Sequence, residues 1–384
     1  MLGIPGRPAP PSSPARRRLL AAACALAATS PVRAAVASAV RIGQCLPLTG
    51  PLRSVVQPIA EGQQALLRSV NAQGGVNGSP IELITLDDGA DPARTLENTR
   101  ALLDQHNVAA LFGYAFVPGL VRTLPLLDER RVPLLGIYNG ADIVRSDARP
   151  WLFTTTASLR DEIGAMVQTL ATLDARKLAV AYQNNELGRF MLPQVEALAA
   201  QHRVTLLAKV PLEPDGSNAK DASLAVGAAS PQAVLLLAGG AAVLGFMKSL
   251  PPSARVPVYA LSLAGTTALV EQLGPVARGM AFTQVVPYPL RLTTPLTRKF
   301  GAAMAGAGLA PTYDRMWGYL NATILVEVLR RSGPRPTPAT VQAALERVTE
   351  LDVGGYRLAY GSNKHHGSSF VEITMVDAAG RFIR

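Results

Sequence analysis

The sequence predicts an α/β protein built on two parallel sheets. Three observations carry this. Short apolar runs alternate with segments of helical spacing through residues 40–286. The alternation restarts after about residue 157, which implies a second sheet. The chain has 384 residues, 48% hydrophobic and 17% charged, enough for two globular domains.

Residues 1–39 stand apart. They hold five arginines (Arg7, Arg16, Arg17, Arg18 and Arg33), no acid, and an apolar run from Leu19 to Ala28. With Ala37-Ser38-Ala39 behind it, this reads as a secretory signal cleaved before Val40 and a periplasmic mature protein. Cleavage after Ala34 is the alternative. The run is too short for a membrane span, which needs about 20 apolar residues. Arg16-Arg17-Arg18-Leu19-Leu20 suggests the twin-arginine route. Removing the five arginines lowers the formal net charge from +10 to +5. No basic run is left, so nucleic acid is not expected as a partner. Cys24 falls in the signal, and Ala21-Ala22-Ala23-Cys24 lacks the leucine of a lipoprotein site. Cys45 is then alone in a strand, where it serves packing.

Residues 40–46 form the first strand, and Leu48-Thr49-Gly50-Pro51 breaks it. Ile59, Gln63, Leu66, Leu67 and Val70 give helical spacing over 58–72. Gly74-Gly75-Val76-Asn77-Gly78 stops that helix with residues that accept positive φ. Residues 81–86 make a strand. Asp91 then caps a helix that opens on Pro92 and runs to about His106. Residues 108–113 form a strand, Pro118 opens a helix carrying Leu120, Leu124 and Leu127, and 132–137 is the next strand. Both strands deliver their following loops, 114–117 and 138–142, to one carboxyl edge, where open α/β sheets bind ligands. Residues 151–155 form a short strand, and Ser158 with Asp161 makes a capping box.

In the second half, strands fall at 178–182, 204–210, 233–237, 256–260 and 280–286. Helices lie near 187–201, 219–228, 241–249 and 266–273. Two helical stretches follow at 295–307 and 312–331, and a third opens at Thr337-Pro338. Residues 356–360 and 370–376 read as an antiparallel pair added to a sheet edge.

Catalytic motifs are absent: no phosphate-binding glycine loop with lysine, no G-x-G-x-x-G, no H-E-x-x-H and no G-x-S-x-G. His106 and His202 sit at helix ends, where they complement the dipole. His365-His366 lies in a turn without the spacing of a helical metal pair. Asp87-Asp88 ends a strand, and no metal or other cofactor is expected. Nothing here favours an enzyme.

Leu46-Pro47-Leu48-Thr49-Gly50-Pro51, Asn71-Ala72-Gln73-Gly74-Gly75-Val76-Asn77-Gly78, Leu86-Asp87-Asp88-Gly89-Ala90-Asp91-Pro92 and Leu111-Phe112-Gly113-Tyr114 occur in this order. In order and spacing they resemble the type I periplasmic binding proteins that serve branched-chain amino-acid and related ABC importers. The resemblance runs from about Val40 to the C-terminus. It implies two Rossmann-like lobes, each a parallel sheet flanked by helices, joined by three hinge crossovers. Lobe one would be 40–156 plus 287–355, and lobe two 157–286 plus 356–384. Thr155-Thr156, Val286-Pro287 and Gly354-Gly355 would be the hinges.

The ligand positions implied by the resemblance are Tyr114, Ala115, Phe116, Val117, Tyr138, Asn139 and Gly140 in lobe one. In lobe two they are Asn185, Leu187, Gly239 and Ser262. Ala115-Phe116-Val117 replaces the family's small hydroxyl residues, Leu187 replaces a tyrosine before Gly188, and Ser262 stands near the expected acid. Arg53, in the first loop, could reach a carboxylate with its planar fork. Burying an ammonium without a partner is costly, so the expected ligand is a non-cationic aromatic or short-chain carboxylate. The implied partner is the permease of an ABC importer, with the binding protein monomeric. The alternative is a ligand-sensing receptor that hands occupancy to a regulatory protein.

Overall fold

The structure, a computed structural model, describes residues 1–3, 6, 38–145, 149–251 and 255–384. The arginine run, Cys24 and the alanines of the cleavage motif before Ser38 lie outside the described residues.

The first sheet is parallel throughout, in the order β2-β1-β3-β4-β5. Its strands are β1 (Val40–Leu46), β2 (Ile81–Asp87), β3 (Ala110–Phe112), β4 (Leu134–Leu135) and β5 (Leu152–Phe153). Helices α1 (Arg53–Ala72), α2 (Pro92–Asp104) and α3 (Val117–Arg130) make the crossovers. The cap chemistry read from the sequence is present. The Asp91 carboxylate accepts the N–H groups of Ala93 and Arg94 at the start of α2. Buried on both faces, β3, β4 and β5 consist of apolar residues alone, as central parallel strands do.

The chain then enters a second sheet through residues 154–158. There α4 (Leu159–Thr172) opens on the Ser158–Asp161 capping box. The sheet takes the order β14-β13-β10-β9-β8-β6-β7, where β13 is Glu372–Val376 and β14 is Phe382–Ile383. Its parallel part is β6 (Lys177–Gln183), β7 (Thr205–Leu212), β8 (Ala233–Leu237), β9 (Val258–Ala260) and β10 (Ala281–Gln284). Between these strands run α5 (Glu186–Gln201), α6 (Ala219–Ala228), α7 (Gly240–Ser249) and α8 (Thr267–Leu273). A second passage returns the chain to the first lobe as α9 (Pro295–Ala307), α10 (Tyr313–Arg331) and α11 (Pro338–Glu346).

The end of the chain departs from the sequence reading in two respects. Strand β13 (Glu372–Val376) does add to the second sheet, antiparallel to β10, but its other partner is β14 (Phe382–Ile383). The segment expected to pair with it forms β12 (Arg357–Leu358) instead, in a small hairpin with β11 (Leu351–Asp352). Gly354 and Gly355 are the turn of that hairpin rather than a crossing. Their φ values of +94° and +101° need glycine, and both N–H groups donate to Asp352 Oδ1. The chain stays beside β5 until Gly367, whose N–H donates to the Thr154 carbonyl.

Candidate functional site

Four loops leave the carboxyl edge of the first sheet. Asp87 ties the first two together, accepting the N–H groups of Leu48, Thr49 and Gly89 and the Thr49 hydroxyl at 2.6 Å. Partial burial pushes its pKa up, but these bonds, the Thr49 hydroxyl foremost, hold the carboxyl below its ordinary value. Asp88 accepts the Thr95 hydroxyl at 2.9 Å and the Ala90 N–H. Both acids hold loops in place. Arg53 is exposed at the first position of α1, with Nε donating to Gln57.

The third and fourth loops correct the expected wall. Tyr114 is 1% exposed, packed with Leu111 and Leu120 on the α2–α3 side, and its hydroxyl bonds to Thr99 at 2.9 Å. A ring enclosed this way does not face a ligand. Tyr138 is also buried, edge-on to Phe112 and Trp317, and its hydroxyl accepts from Gln63 Nε2 at 2.6 Å. Burial, opposed by that bond, raises its pKa. The half-buried surface above it is made by Trp317, Leu48, Ala60 and Ala115. Trp317, on the second turn of α10, is the aromatic side chain that the sequence reading missed. Nothing local marks it, because α10 reaches the cleft from 200 residues beyond β3. Phe116 is the N-cap of α3, and Val117 packs against the clusters of both lobes. Asn139 accepts the Ala141 N–H, and the Gly140 carbonyl accepts from Leu159, the first residue of α4.

On the second lobe, Asn185 caps α5 by accepting the Gly188 N–H at 3.0 Å. Leu187 is half-buried against the lobe's own cluster. Gly239 precedes α7, and its N–H donates to Gln183 Oε1. Ser262 needs the clearest correction. Its N–H and hydroxyl donate to Glu162, at 2.8 and 2.9 Å, and Thr283 donates a third hydrogen bond. An acid does stand behind this position, on α4, and it is already satisfied. Burial raises the Glu162 pKa against the pull of those bonds.

A second acid lies where the lobes meet. Asp314, in the first turn of α10, is 8% exposed and faces the backbone N–H of Thr267 at the start of α8. Burial pushes its pKa up to about 7.

The passages between lobes are tightly held. The Thr155 hydroxyl donates to Asn321, and the Tyr356 hydroxyl donates to the Thr155 carbonyl at 2.9 Å. Tyr360 reaches the Thr154 carbonyl, and the His366 ring bridges Thr154 Oγ1 and the Arg145 carbonyl. Arg145, itself buried, donates to the carbonyls of Thr156 and Ala157 at 3.0 Å each. These bonds hold the backbone of residues 154–157 in place.

At this carboxyl edge Trp317, Leu48, Ala60 and Ala115 form a half-buried apolar surface over Leu46, Ile59 and Tyr138. The chain is similar to known proteins along most of its length. A family model for periplasmic binding proteins matches residues 39–381. The Leu/Ile/Val-binding protein homolog 7 of Brucella abortus (strain 2308) is 27% identical over 165 residues, 40% of this chain and 41% of that protein. The match therefore spans about two-fifths of that relative's length. An extracellular ligand-binding receptor from Verminephrobacter eiseniae superimposes with a TM-score of 0.83 at 26% identity, covering 90% of this chain and all of that one. Two more distant structures share the fold. An R. palustris solute-binding protein in complex with benzoate has a TM-score of 0.77 at 16% identity, over 90% of this chain and 95% of that one. A Thermus thermophilus branched-chain amino-acid transporter protein with bound valine has a TM-score of 0.77 at 17% identity, over 90% and 94%.

Proposed function

The chain belongs to the periplasmic binding protein family, and from that membership we propose that it captures a non-cationic aromatic or short-chain carboxylate between its lobes and delivers it to an ABC importer. The observation that carries the ligand class is the chemistry of the cleft. Trp317 would give it an aromatic floor, and two buried acids, Glu162 behind Ser262 and Asp314 beside the start of α8, are both pushed toward their neutral forms by burial, which leaves them poor partners for an ammonium. Arg53, exposed at the start of α1, would meet the carboxylate. The hinges would be residues 154–156, 285–287 and the segment after Gly367. The protein would act as a monomer without catalysis. Solved relatives that hold benzoate and valine bracket the two choices.

Calorimetry with benzoate, 3,4-dihydroxybenzoate and short-chain carboxylates, against leucine, isoleucine and valine, tests this reading. Trp317→Ala should weaken binding at least about tenfold, as loss of a central aromatic anchor does. Tyr138→Ala should mainly lower stability, because its ring is enclosed. Tight binding of a branched-chain amino acid with the carboxylates silent would overturn the ligand class.

The same reading implies export. Protein recovered from its native host should begin at or near Val40 on N-terminal sequencing. Intact Met1 on the soluble protein would refute it.

A further inference from the structure

A groove of about 960 Å³ lies on lobe one, away from the cleft. Its size falls within the range of small-molecule sites. Three helices form it, each contributing residues three or four apart: Leu66, Ser69 and Gln73 on α1, the Lys299 stripe on α9, and the Tyr319 stripe on α10. The α1 residues come from its second half. A helix that follows a parallel strand runs back along the sheet, so this half lies toward the amino edge, opposite the loops of the cleft.

Two independent features make the groove a built site. Tyr319 lines it, is only 5% exposed, and stacks edge-on against Phe300 at 5.4 Å. Its hydroxyl has no hydrogen-bond partner among the described residues, whereas the buried tyrosines 114, 138, 356 and 360 all have one. The ring is enclosed and the hydroxyl remains open to the groove, where it can donate to a bound acceptor. The second feature is charge. Arg330 is neutralised by Glu327 at 2.5 Å, and Asp352 is occupied by the N–H groups of Gly354 and Gly355. Arg68 and Lys299, on opposite walls, make no ion pair among the described residues. Beyond Lys299 the α9 wall carries the small residues Ala302, Ala303 and Gly306, which leave room for an apolar body.

We propose that this groove is a second ligand site, for a small amphipathic anion with an extended apolar body and one carboxylate head. The head sits between Arg68 and Lys299 and accepts from the Tyr319 hydroxyl, and the body lies along the α9 alanines. Nothing in this depends on what the cleft binds.

Dodecanoate below its micelle-forming concentration is the probe, with dodecanol as the uncharged control. Calorimetry on the full mature chain should show one dodecanoate site and much weaker binding of dodecanol. Lys299→Gln and Arg68→Gln should each weaken dodecanoate about tenfold, and Tyr319→Phe about fivefold, in line with loss of one charge-assisted bond. Ala303→Trp, which fills the groove, should abolish binding. Thermal melting of each variant shows whether it is folded. Dodecanoate binding that survives Ala303→Trp but is lost in Trp317→Ala would place the anion in the cleft and overturn the proposal. So would an absence of binding. So would a concentration-dependent doubling of mass by light scattering that Ala303→Glu removes, since the groove would then be an interface between copies.

Discussion

Gly318→Ala is expected to destabilise the protein by about 3 kcal/mol, the range of overpacking against rigid neighbours. Helices α1 and α10 touch through two glycines. A Cβ on Gly318 would lie 1.9 Å from the Ile59 carbonyl oxygen, and one on Gly62 would lie 2.0 Å from that of Arg315. Both obstacles are backbone atoms of regular helices, so neither can turn aside as a side chain could. The methyl group must force the helices apart. That outweighs the gain of up to about 1 kcal/mol that alanine normally brings to a helix interior. Gly164→Ala is the control. It also lies inside a helix, but a Cβ there meets only Leu198 Cδ2 at 3.9 Å. It should be neutral or slightly stabilising. Thermal unfolding of the two variants should separate them by roughly 5 °C or more. Equal melting temperatures would mean that the helices do not approach so closely. Because Asp314 and Trp317 sit on the same helix, Gly318→Ala should also disturb the cleft.

That contact shows where the sequence was and was not informative. The helices were legible from their spacing and caps, because Asp91, Ser158 with Asp161, and Thr337 act within three residues of themselves. The parallel sheets were legible because the alternation of strand and helix admits few other arrangements. Partner choice at a distance was not. Residues 356–360 alternate like a strand of the second sheet, yet the Gly354-Gly355 turn folds them onto Leu351–Asp352. The site divides in the same way. Loop positions at the carboxyl edges follow from strand order, so Phe116, Gly140, Asn185 and Gly239 fall at loop or helix starts. Side-chain direction does not follow. Tyr114 turned into the core, Trp317 took the half-buried aromatic position beside Tyr138, and Ser262 met Glu162, an acid 100 residues earlier in the chain. Glu162 lies in the first turn of α4, where an acid is already explained by the helix dipole. Its second role was therefore hidden.

Asp314→Asn is expected to stabilise the protein at neutral and alkaline pH, and to do nothing in acid. Burial raises the Asp314 pKa from 3.8 to about 7, with only the Thr267 N–H, its own backbone N–H and the nearby Arg315 charge favouring the ionised form. The unfolded chain ionises this carboxyl near 4, so between about pH 4 and 7 the folded state holds a proton that the unfolded state has released. Stability from this group is therefore greatest below about pH 4, declines as pH rises through that window, and stays low above 7. Each unit of displacement corresponds to about 1.4 kcal/mol, so the full penalty is on the order of 4 kcal/mol and the realised one smaller. Asparagine keeps an oxygen for the Thr267 N–H and removes the ionisation. Melting the two proteins at pH 8 should show the variant higher by several degrees, and at pH 4 the two should coincide. A constant difference at both pH values would show that the gain is packing, not charge. Because Asp314 and Thr267 belong to different lobes, the same proton should bias closure. At pH 5 the wild-type protein should scatter as the more closed species than at pH 8, and Asp314→Asn should lose that dependence.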